Sequence, residues 1–129
     1  MGAYFFIARP YEEQGKWPEA IGDYEKLKNL YSVGYLEGVG HAWAASGHRA
    51  EAEAILAQLR ELSSKEYVSP TAVAEIYAAL GQHRVALGWL ERAYRERDAG
   101  MVGLAVDSNF DHLRSDPRFK NLLRLTGLP

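Results

Sequence analysis

Four histidines, His41, His48, His83 and His112, are the residues of this chain best suited to move a proton or hold a metal ion. A protein metal site needs three or four converging ligands. Neither HxxxH nor HExxH spacing occurs here, and no third ligand is in view. His48 and His83 fall at expected helix starts, where they face solvent. Ser63, Ser64 and Ser69 share one loop, "SSKEYVS", which lacks the glycine-flanked serine of a nucleophile elbow. "GLAVDSNFD" has no glycine pattern that would cradle a phosphate. The carboxylates of "EEQGKWPEA" and "EAEA" would need burial to shift their pKa for acid–base work, and they read as solvated helix faces. There is no cysteine, so thiol chemistry and disulfides are excluded. The expectation is a protein with no catalytic residue, no metal and no cofactor.

Composition points the same way. Apolar residues make up 47% of the 129 positions and charged residues 25%, which suits a single globular domain with a buried core. The net charge is −2, whereas a nucleic-acid surface would be basic. No apolar run approaches the ~18 residues of a membrane-spanning helix. "AYFFIA" is short and has no cationic segment before it, so it does not read as a signal peptide. The expected setting is the cytoplasm. The chain opens inside an apolar pattern, which is expected of a piece of a longer protein.

The elements follow from a threefold internal pattern. "GKWPEAIGDYEKL" from Gly15 is answered by "GHRAEAEAILAQL" from Gly47 and "GQHRVALGWLERA" from Gly81. Each glycine is followed five residues on by Ala20, Ala52 or Ala86, and four beyond that by Tyr24, Leu56 or Leu90. Four residues upstream stand Tyr11, Trp43 and Tyr77, and seven upstream Ala8, Gly40 and Ala74. The glycines are 32 and 34 residues apart, a period typical of stacked helix pairs. Glycine closes a first helix because it takes the left-handed conformation without steric cost. The alanine lets the second helix approach closely, and the bulky residue fills the space beside it. Such a pair cannot bury its apolar face alone, so pairs stack. The pattern predicts helices near 3–14, 18–30, 33–46, 49–62, 70–80 and 84–97, with Ser69 as N-cap and Pro70 at the first helical position. Pro10 falls inside the first of them, so that helix is expected either to bend there or to begin only near Pro10.

This pattern resembles the tetratricopeptide repeat family over about residues 3–98. The residues that carry the resemblance are Tyr11, Gly15, Trp17, Ala20 and Tyr24; Gly40, Trp43, Gly47, Ala52 and Leu56; and Ala74, Tyr77, Gly81, Ala86, Leu90 and Ala93. Arg49 and His83 stand where the first repeat has Trp17, and the proline that often ends a repeat is missing from all three. "NFDHLRSDPRF" is similar to a segment that closes repeat arrays in bacterial signalling proteins, including transcription regulators, nucleotide cyclases and protein kinases. In it Asp116 is the expected N-cap of a last helix from Pro117, with Phe119, Leu122 and Leu123 on one face, and Phe110 and Leu113 in a turn before it.

The resemblance implies an all-α fold: one domain, 1–129, built as a right-handed solenoid of three helix-turn-helix repeats (3–32, 33–66 and 67–98) with a C-terminal cap over 99–129. It implies a non-enzymatic module, part of a larger bacterial protein, that binds a protein or peptide in a concave groove lined by the first helix of each pair. Matched residue by residue, the groove face presents Phe5, Arg9 and Glu12, then Glu37, His41 and Ala44, then Thr71, Glu75 and Ala78. Arg9, His41 and Glu75 stand where some relatives hold a terminal carboxylate with lysine and asparagine, so that specificity is not expected. The acidic balance of the face favours a basic or mixed-charge partner, with no direct contact to nucleic acid or membrane. The expected state is a monomer or weak homo-oligomer. Alternative readings are a self-associating scaffold, or the non-catalytic lobe of a signalling enzyme or transcription regulator.

Overall fold

The computed structural model describes Ile21 and residues 32–127. Their regular elements are all helical, with no strand among the described residues. They form α1 (Ser32–Ala45), α2 (Arg49–Leu62), α3 (Pro70–Ala79), α4 (His83–Glu96) and α5 (Pro117–Thr126), with two 3-10 segments, Ala99–Gly103 and Ser108–Leu113, between α4 and α5. The expected helix near 3–14, Pro10 with it, lies outside the described residues, and of the one near 18–30 only Ile21 is described. The chain divides into two compact units, Met1–Val68 and Ser69–Pro129.

In the first unit α1 and α2 form a hairpin. A connection this short makes the two helices antiparallel neighbours. Gly47 takes φ 87°. With the chain turned there, His48 N–H donates to Trp43 O at 2.8 Å and Gly47 N–H to Ala44 O at 3.3 Å, which satisfies the last carbonyls of α1. Ala52 is fully buried, and Ile55, Leu56 and Leu59 bury the rest of that stripe of α2. At the other end of α2, the Ser63 and Ser64 hydroxyls donate to Arg60 O and Glu61 O.

The second unit repeats the device. Ser69 caps α3 by accepting from Ala72 N–H, and Pro70 occupies the first turn. Gly81 at φ 80° closes α3, with Gln82 N–H donating to Tyr77 O at 2.9 Å and Gly81 N–H to Ala78 O at 3.0 Å. Ala86 and Leu90 are fully buried where α4 turns back.

The tail then completes this core. Phe110, Leu113, Phe119 and Leu122 are buried with the apolar faces of α3 and α4, and Leu123 packs against them half-buried. Asp107 and Asp116 cap the second 3-10 segment and α5. Arg114 holds the tail's shape. Its guanidinium donates to Ala105 O at 2.8 Å, Asp107 O at 3.1 Å and Asp111 Oδ1 at 2.9 Å, and lies 5.7 Å from the Phe119 ring centre.

Candidate ligand-binding face

The expected groove residues have varied surroundings. Phe5, Arg9 and Glu12 lie outside the described residues. On α1, Glu37 is half-buried, while His41 and Ala44 are buried at 7% and 5% exposure. Glu37 is therefore the member of that trio most open to solvent.

On α3 the expected groove residues are covered as well, and what covers them is visible. Thr71 is 5% exposed and Ala78 9%. The two 3-10 segments fold back against α3 and occupy the face those residues share. A Cβ at Gly100, at the start of the tail, would stand 2.7 Å from Thr71 Cβ, so glycine is needed for this close approach. Glu75 accepts from Asn109 Nδ2 at 3.3 Å, and the same amide donates to Asp107 Oδ1 at 2.9 Å. Thr71, Glu75 and Ala78 thus meet the chain's own tail and do not line an open groove. Among the described residues Thr71 Oγ1 has no hydrogen-bond partner although it is buried, an energetically costly arrangement.

Two of the four histidines pair with each other. His83 and His112 are exposed and stack with ring centres 6.0 Å apart. His48 meets Trp43 edge-on at 4.8 Å and approaches the Ser46 hydroxyl with Nδ1 at 2.9 Å. That hydroxyl already donates to Trp43 O, so it accepts from the imidazole and is not activated as a nucleophile. Among the described residues, no three histidine, aspartate or glutamate side chains gather where a metal ion could be held.

The second unit has an uneven charge arrangement. All seven of its carboxylate side chains are engaged. Glu91, Glu96 and Asp111 each hold an arginine, and Glu75, Asp98, Asp107 and Asp116 accept from amides or hydroxyls. Arg118 reaches Glu91 with two nitrogens, Nε donating to Oε2 at 3.1 Å, and joins α5 to α4. This hydrogen bonding lowers the Glu91 pKa, against a smaller opposing effect of desolvation, and correspondingly raises that of Arg118. Arg84, Arg95, Arg97, Lys120 and Arg124 are exposed and make no ion pair among the described residues.

No family model matches this chain, and no curated protein or solved structure matches it either. Sequence reasoning missed Asp98, Asn109 and Arg114. Their partners are 29, 34 and up to nine residues away, and no local pattern announces them.

Proposed function

We infer that the chain is a non-catalytic protein-interaction module of tetratricopeptide-like repeats, part of a larger cytoplasmic bacterial protein. In this reading its three helix pairs stack as a right-handed solenoid, the tail caps the last pair, and the partner is a peptide or helix of basic or mixed charge. The observation that carries the reading is the identity of plan in the two described hairpins. Gly47 and Gly81 turn the chain at φ 87° and 80°, Trp43 and Tyr77 supply the same carbonyl acceptor, and Ala52 and Ala86 are both fully buried. Hairpins built to one plan at a fixed period suit stacking into an extended binding surface.

Because the tail covers α3, the proposed groove is confined to the first helices of the earlier pairs, with Glu37 as its described contact and Phe5, Arg9 and Glu12 as its further candidates. The test is to pan a random peptide library against the full chain and map a recovered peptide by amide hydrogen exchange. The expected result is an enrichment of basic peptides and protection within residues 1–45. Failure to enrich any peptide, or protection only on the second helices of the pairs, overturns the groove assignment.

A further inference from the structure

We propose that α4 carries a second docking surface, separate from the groove, for an acidic protein segment. Arg84, Gly88, Glu91 and Arg95 are spaced by four, three and four residues, which places them along one stripe of the helix. Glu91, the one acid in the stripe, is offset by Arg118 from α5. Arg95 senses Glu91 but makes no ion pair, and Arg84 makes none among the described residues. The stripe therefore presents two unneutralised guanidinium groups about 16 Å apart along the axis.

Gly88 is the second, independent observation. Glycine is unfavourable in a helix interior. A Cβ at Gly88 would meet nothing within 4 Å, so no neighbour among the described residues requires its absence. The backbone is bare between the two arginines, next to Trp89 and the exposed Val85. A notch flanked by cations and rimmed by apolar side chains suits a helix that brings its backbone close and aims carboxylates at both ends. With all seven carboxylate side chains of this unit already engaged, an acidic protein segment is the occupant that the charges complement.

The test uses the full chain and a fluorescein-labelled helical peptide with glutamates eleven residues apart, followed by anisotropy. The expected result is binding that weakens with salt and falls by about tenfold in the Arg84→Glu, Arg95→Glu double variant. Gly88→Leu, which fills the notch, weakens binding without lowering Tm. Lys120→Glu, on the side of α5 opposite Arg118, leaves binding unchanged. Absence of peptide binding overturns the proposal, as does an equal loss in Lys120→Glu. Duplex DNA or phosphatidylserine vesicles that bind as tightly, and respond to the same reversals, would mark a general polyanion surface and overturn it too.

Discussion

The Ser69 hydroxyl donates to Asp98 Oδ2 at 2.8 Å across 29 positions of sequence. The same oxygen accepts from Ala72 N–H at the start of α3. Asp98 stands just beyond α4, after its cap Arg97, and is 7% exposed. One hydroxyl thus caps a helix and ties it to a buried carboxylate beyond the next helix. Ser69→Ala removes the cap, worth about 1 kcal/mol, and takes a donor from a buried acid. The expected loss is about 1–3 kcal/mol, read by urea denaturation. In a cycle with Asp98→Ala, the two losses should fall short of additivity by about 0.5 kcal/mol or more. Additive losses would mean that the two residues act independently.

Gly100 packs against the same corner. An added Cβ would stand 2.7 Å from Thr71 Cβ and 3.0 Å from Asp98 Oδ2. Gly100→Ala should cost about 1–3 kcal/mol by overpacking. Gly103→Ala is the control from the same segment, since its Cβ would meet nothing within 4 Å. Equal melting temperatures for the two variants would contradict the close approach of tail and α3.

Thr71 offers a gain. Its buried hydroxyl has no partner among the described residues, and valine keeps its shape without the polar atom. Thr71→Val should raise stability by about 1 kcal/mol. A drop instead would show that the hydroxyl is satisfied in solution.

Gly100 and Thr71 mark where sequence reasoning stopped. The helix bounds were legible because they depend on neighbours in the chain: α2 spans Arg49–Leu62 as the pattern predicts, and Ser69, Asp116 and the two glycines act as caps and closers. Ala52 and Ala86 were legible as close-packing sites for the same reason. The groove face of α3 was not. Helical period tells which residues share a face, but not what covers it. Thr71, Glu75 and Ala78 do share one, and the tail that folds over it is joined to it by contacts 29 and more residues apart.

The Glu91–Arg118 pair gives stability a pH dependence. Hydrogen bonding to Arg118 lowers the Glu91 pKa in the folded state. A lowered carboxylate pKa contributes stability above the unfolded pKa, and that contribution is lost as pH falls through the folded value. Both side chains are substantially exposed, 35% for Glu91 and 43% for Arg118, so screening limits the effect. Glu91→Gln should therefore cost about 0.2–1 kcal/mol at neutral pH. The gap between variant and parent should close as pH falls below the ordinary glutamate range. A gap that is constant down to pH ~3 would assign the loss to packing, since a charge interaction must titrate.

The last prediction concerns how three helices end. Gly47 and Gly81 close α1 and α3 in the left-handed conformation, and Arg97 does the same for α4 at φ 57°. The hydrogen bonds match: Asp98 N–H donates to Ala93 O at 2.9 Å and Arg97 N–H to Tyr94 O at 3.2 Å, as His48 and Gly47 do at the end of α1. This pair of hydrogen bonds is therefore built twice with glycine and once with arginine among the described residues, and Gly127 at φ 74° closes α5 in the left-handed conformation as well. A side chain in this conformation costs about 1–2 kcal/mol, part of which glycine returns through its greater unfolded freedom. Arg97→Gly should raise stability by about 0.5–1 kcal/mol. Gly81→Ala should lower it by about as much, although its Cβ would meet nothing within 4 Å. Arg97→Ala separates the two origins of the effect, because it removes the guanidinium but keeps the strain. If Arg97→Ala stabilises as much as Arg97→Gly, the gain comes from relieving the local crowding of cations, and the conformational account of this helix end fails.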